Sequence, residues 1–212
     1  MNILRKIRRP FKYSYFNAAF LIIGINIAVF LLLKMIPRLA VYLSLNVIFL
    51  REGHMYWQFL TYMFLHSNIS HIVCNMLGLL FFGLALEKAI GSKEFVLFYL
   101  VCGALSGFFS FLVYRFTGQY RIFLLGASGA IYSVLFAYAV FFPRSVIFIW
   151  GIIPVPAPVM VLIYAIIELG SQFLGSRGNV AHMTHLFDFL AAWLYFVIRM
   201  GIHPIKVWKN VR

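Results

Sequence analysis

Leu125-Gly126-Ala127-Ser128-Gly129-Ala130-Ile131-Tyr132 sets one hydroxyl between two glycines in a chain that is otherwise almost wholly apolar. Two glycines three residues apart let a second backbone approach the serine closely. Tyr132, four residues beyond Ser128, shares its helical face one turn away. On this stretch alone the bland reading, a small-residue contact between membrane helices, is favoured. Two pairs elsewhere change the odds: His71 with Asn75, and His182 with His185.

Composition sets the surroundings of that hydroxyl. Of 212 residues, 64% are hydrophobic and 11% charged, and the mean hydropathy is +0.95. A soluble domain of this size cannot hide so much apolar surface. A spanning helix needs about 20 apolar residues, and several such runs are present. The net charge of +13 could suit nucleic acid, but the basic residues lie in loops and tails between apolar runs. That placement points to membrane topology and anionic lipid, with no nucleic-acid partner. Cys74 and Cys102 fall inside apolar runs and read as small buried residues, without a disulfide or metal role. The first apolar run is too long for a signal h-region, so no cleavable signal stands out.

Taken in order, residues 1–16 form a basic leader and 17–200 one six-span membrane domain. Residues 201–212 form a basic tail. The spans are expected at 17–36, 69–89, 94–114, 125–142, 157–174 and 180–200. Residues 38–68 read as a long loop lying partly in the membrane surface, with Tyr56, Trp57 and Tyr62 suited to the interface. Gly103, Ala104, Ser106 and Gly107 allow close packing of the third span. Gly151, Pro154 and Pro156 prevent a helix over 145–156 and place that piece in the interface.

Sidedness follows from the arginines and lysines. Lys34, Arg38, Arg51, Arg115, Arg121 and Arg177 fall on one side, and the remaining twelve of the eighteen on the other. The positive-inside rule puts both termini in the cytoplasm. Ser128, His185, His71 and Asn75 then share one depth near the outer face, from three separate helices. Polar groups inside a bilayer are costly and face the protein interior. Each alone has an innocent reading: a lone histidine packs, and His71 with Asn75 bridges helices. Together they form a set. A serine hydroxyl needs a base to become a nucleophile, an imidazole supplies one near neutral pH, and the oxyanion needs donors fixed in advance. Asn75, His71 and the Ser128 N–H are placed to be those donors. With no obvious third carboxylate, the set reads as a serine–histidine dyad.

In these residues the chain resembles the rhomboid family of intramembrane serine proteases, from Trp57 to about Ala192. The resemblance rests on Gly126-Ala127-Ser128-Gly129, on His71-x-x-x-Asn75, on Gly83-x-x-x-Glu87-x-x-x-Gly91, and on six spans with a long first loop. It implies an all-α membrane protein, a six-transmembrane-helix rhomboid bundle with a membrane-associated first loop. It implies that Ser128 is the nucleophile and the span-six histidine its base, that His71 and Asn75 help form the oxyanion site, and that Tyr132 stacks on the base. Gly126 and Gly129 would support the site. It further implies a serine endopeptidase acting on transmembrane segments of other membrane proteins, with no metal or organic cofactor. The form resembles the simpler bacterial members, so a bacterial inner membrane is the expected location.

Two departures stand out. The family's Trp-Arg in the first loop is Trp57-Gln58 here. In span six, the glycines expected after the histidine are replaced. Aligning the base with His185 puts Asp188 and Ala192 at their positions; His182 is the runner-up base. Asp188 lies three residues from His185 and on a similar face. It reads first as a neutral carboxyl hydrogen-bonded within the bundle, with orientation of the imidazole as the alternative. Two other functions compete with the protease: an inactive rhomboid-like protein that binds transmembrane helices, and a small transporter. A transporter would bring inverted repeats and a midplane site; no repeat is evident, and the polar cluster sits near one face. Span five, flanked by Pro- and Gly-containing loops, is a candidate gate.

Overall fold

The computed structural model describes residues 7–149, 151–173 and 179–210, with side-chain surroundings described for all but 168–173 and 179–184. The side chains of Glu168 and His182, and all of Trp150 and of the loop 175–178, lie outside the described residues. Among the described residues the chain is a mainly α-helical membrane bundle with six principal helices: α1 (Ala18–Met35), α2 (Ile69–Ile90), α3 (Ser92–Phe116), α4 (Ser128–Phe141), α5 (Ala157–Phe173) and α6 (Asn179–Tyr195), which continues through a π-helical turn, Phe196–Met200. Among the described residues, α1, α2 and α3 are each long and apolar enough to cross a bilayer unaided. The protein is therefore an integral membrane protein.

α4 departs from expectation in a way that matters. Its 14 residues span about 21 Å, short of a hydrocarbon core of about 30 Å. Leu125, Gly126 and Ala127, expected inside the fourth span, precede the helix instead. The chain enters in extended form: Leu124 and Leu45 exchange backbone hydrogen bonds, each 2.9 Å. Ser128 is thus the first residue of a helix that does not need to reach the surface.

α3 runs through the middle of the bundle. Phe95, Phe98, Tyr99 and Cys102 on it are fully buried against α4, α6 and the first loop. That loop is ordered by short helices, Leu39–Leu43, Val47–Arg51 and Gln58–Thr61. Gln58, where a Trp-Arg pair was the family expectation, is completely buried. Its Oε1 accepts from the Asn46 N–H at 3.1 Å and its Nε2 donates to the Tyr42 carbonyl at 3.1 Å. A neutral amide can both give and take, so Gln58 anchors the loop in place of a cation, while Trp57 stays half-exposed at its edge. The Asn46 amide also donates to the carbonyls of Tyr120 and Ile122, both at 2.9 Å, tying the loop to the α3–α4 connection. Tyr62 corrects the interfacial reading. It is 2% exposed, and its hydroxyl donates to the Gly103 carbonyl at 2.8 Å.

Glu87 in the Gly83-x-x-x-Glu87-x-x-x-Gly91 run has a structural role. Fully buried near the end of α2, its carboxylate accepts from the N–H groups of Ala18 (2.6 Å) and Ala19 (2.9 Å), and from the Ser92 hydroxyl. It caps the start of α1, where N–H groups lack helical partners and the dipole favours negative charge. The apolar piece after α4 forms a hairpin, β1 (Val146–Ile149) and β2 (Ile153–Pro156), paired antiparallel from Val146↔Pro156 to Ile149↔Ile153. The prolines that forbid a helix are tolerated on an edge strand.

Candidate active site

Three elements converge below the entry of α4. The Gly126 N–H donates to the Tyr62 carbonyl at 3.0 Å. Its φ is +125°, a region in which a side chain is strained. A Cβ at Gly126 would also fall 2.7 Å from His71 Nε2, so glycine here is what lets the imidazole lie against the serine loop. His71 is held from the other side. Asn68 caps α2 by accepting from the His71 N–H at 2.8 Å, and the Ser67 hydroxyl lies 3.2 Å from His71 Nδ1. That leaves Nε2 as the ring atom turned toward Gly126.

From α6 comes His185. The Tyr132 ring stacks on its imidazole, with centroids 4.7 Å apart and planes 29° from parallel. Tyr132 is itself wedged edge-on between Tyr164 of α5 and Phe189 of α6. The i+4 spacing from Ser128 therefore brings the aromatic ring beside the imidazole.

Ser128, His185 and His71 line one recess of about 210 Å³ with Tyr62, Ser106 and Asp188. Of the donors expected at an oxyanion, His71 and the first residue of α4 reach this recess. Asn75 does not line it; it is buried, one turn along α2 from His71. Its Nδ2 has no hydrogen-bond partner among the described residues. Buried amides are almost always satisfied, so this donor has spare capacity.

Asp188 is the residue that sequence reasoning placed least well. Expected first as a hydrogen-bonding group of the bundle, it is that and more. It is 1% exposed. Oδ1 accepts from the Ser106 hydroxyl of α3, and Oδ2 lies 3.2 Å from His185 Nδ1. Its own backbone carbonyl accepts from the Ser133 hydroxyl of α4 at 2.8 Å. Gly129 provides the room: a Cβ there would collide with the Ser106 hydroxyl and sit 3.1 Å from Asp188 Oδ1. By sequence Ser106 reads as one of several small packing residues. The one signal available was that it is a hydroxyl in a stripe where alanine would pack equally well.

Comparison with known proteins covers the segment that carries these residues. The rhomboid domain family matches residues 53–201, from the first loop through the last turn of the bundle. RHOMBOID-like protein 12, mitochondrial, of Arabidopsis thaliana is 30% identical over 144 residues, 60% of this chain and 41% of the relative. RHOMBOID-like protein 4 of the same plant is 32% identical over 165 residues, 76% of this chain and 38% of the relative. The rhomboid protease GlpG of Klebsiella pneumoniae is 32% identical over 79 residues, 37% and 26% respectively. The chain spans less than half the length of these curated relatives. With the family match extending over well over half of the sequence and over five of the six helices, this chain belongs to the rhomboid family.

Proposed function

We propose that the protein is an intramembrane serine endopeptidase that cuts a peptide bond in or next to the transmembrane segment of another membrane protein. The observation that carries the reading is the single recess lined by Ser128, His185 and His71, inside a bundle whose exterior is apolar. Ser128 Oγ attacks the scissile carbonyl carbon while its proton passes to the Nε2 of His185. His71, Asn75 and the Ser128 N–H receive the oxyanion, and the spare donor on Asn75 supports that role. Collapse breaks the C–N bond, and the imidazolium returns the proton to the leaving amine. Water, losing a proton to His185, then hydrolyses the acyl ester and restores the serine hydroxyl. Tyr132 orients the base; Gly126 and Gly129 keep the walls thin.

We place this activity in a bacterial cell membrane with both termini in the cytoplasm. The domain spans 17–200, between the leader 1–16 and the tail 201–212. The charge asymmetry across the membrane supports the orientation. The substrates are transmembrane proteins and the surroundings membrane lipid; the recess needs no cofactor for the steps above.

The test is labelling of detergent-purified protein with a fluorophosphonate, beside Ser128→Ala, His185→Ala and His182→Ala. Labelling lost in the first two variants and kept in His182→Ala supports the protease with His185 as base. Labelling kept in His185→Ala and lost in His182→Ala moves the base to His182. A folded native chain that never labels turns the reading to a rhomboid-like protein that binds transmembrane helices without cutting them.

A further inference from the structure

We propose that Asp188 is a positioning residue that turns the expected serine–histidine pair into a three-membered Ser128–His185–Asp188 array, an inference that rests on the protease reading above. In its ionised form, which the proposal takes, the buried Asp188 carboxylate, 3.2 Å from a ring nitrogen of His185, can only accept from it. It therefore holds the proton on Nδ1 and makes the Nε2 lone pair the one that takes the serine proton. During attack the ring becomes positively charged, and the adjacent carboxylate stabilises that charge.

The rest of the arrangement fixes where this carboxylate can be. One oxygen takes the Ser106 hydroxyl from α3, so the carboxylate is not free to turn away. The Asp188 backbone takes the Ser133 hydroxyl from α4, five residues from the Ser128 that begins that helix. The two hydroxyls thus tie the turn of α6 carrying the base to α3 and to α4, the helix carrying the nucleophile. The array also accounts for the replaced glycine in α6. A residue with a side chain is accommodated at 188 because Gly129 opposite has none. A carboxyl at this spot need not block the site; it occupies the one space from which the base can be held by its far nitrogen.

The experiment uses the full chain in proteoliposomes with a transmembrane-peptide substrate, comparing the native protein with Asp188→Asn, Asp188→Gly and Ser106→Ala, with thermal midpoints for each. Asparagine keeps the shape but presents an amide that favours the other tautomer. The expected result is a kcat lowered roughly 10²–10⁴-fold in Asp188→Asn with KM changed by less than about twofold and the midpoint nearly unmoved. Ser106→Ala is expected to lower kcat by about tenfold or less, since the His185 contact survives. Formate, a small carboxylate, is expected to recover part of the rate in Asp188→Gly. Native kcat in folded Asp188→Asn and Asp188→Gly overturns the proposal while leaving the protease intact. A folded native chain that neither labels nor cleaves overturns the protease reading and this one with it. Should the variants fail to fold, ¹⁵N-histidine spectra of the unmutated protein decide the matter. His185 protonated on Nδ1 supports the array, and His185 protonated on Nε2 overturns it.

Discussion

Gly126 shows how a single missing side chain serves geometry and packing at once. The sequence marked it as one of a pair of glycines flanking a serine. That its φ is +125° and that His71 occupies the space of its Cβ were not legible, because both depend on a helix more than fifty residues earlier. Gly126→Ala is expected to lose stability by about 2–4 kcal/mol, from backbone strain plus overpacking. Fluorophosphonate labelling should fall with it; thermal unfolding alongside labelling checks both. His66, just before α2, makes a second residue-scale prediction. Burial, and then the nearness of His71, push its pKa down to about 4. The unfolded chain, near 6.5, binds this proton more readily than the folded one. Stability from this group is therefore full above about pH 6.5 and is lost as pH falls toward 4. Unfolding midpoints measured across that range should drop on acidification, and less steeply in His66→Phe.

At the scale of elements, capping and anchoring carry information that hydropathy does not. The span boundaries of α1, α2 and α3 were readable to within two or three residues, since a bilayer demands an apolar run of set length. α4 starts three residues later than hydropathy alone places it, because Leu125, Gly126 and Ala127 are as apolar as a helix interior. Only the backbone pairing of Leu124 with Leu45 pulls them out of it. The hairpin over 146–156 was read correctly as non-helical and not read as a hairpin, since its pairing depends on a turn at Gly151. Glu87, capping α1 from α2, gives the test at this scale. Glu87→Ala leaves two buried N–H groups unsatisfied and removes the favourable charge at the helix start. It should cost about 2–4 kcal/mol. Loss of thermal midpoint in detergent, with labelling per folded molecule preserved, would match a role confined to the bundle.

Orientation in the bilayer and substrate entry belong to the molecule as a whole. On the proposed orientation, with both termini cytoplasmic, Thr117 would face the outside and Asn210 the inside; both are exposed. In a Cys74→Ala background, Thr117→Cys should react with an impermeant maleimide on intact cells, and Asn210→Cys only after lysis. The opposite pattern would invert the molecule and with it the face at which cleavage occurs. A disulfide joining α2 to α5 is expected to stop cleavage of a membrane substrate while leaving small-probe labelling in place, if α5 is the gate. Unchanged cleavage would remove that role.

The sequence by itself determined the membrane class, the six-helix bundle and the family, and it singled out Ser128, His71, His185 and Tyr132 as candidates for one site. Those follow from one-dimensional properties: the length of apolar runs matched to bilayer thickness, the distribution of basic residues between them, and the order of short motifs along the chain. The tertiary structure alone decided that α4 begins at Ser128, that Gln58 replaces a cation as the loop anchor, that Glu87 caps α1, and that Asp188 reaches both Ser106 and His185. Between helices already in lipid, apolar side chains gain little by choosing protein over acyl chain. Association is therefore settled by close packing and a few hydrogen bonds. Those bonds join residues as far apart as Ser106 and Asp188, and their spacing in the chain carries no mark of the pairing.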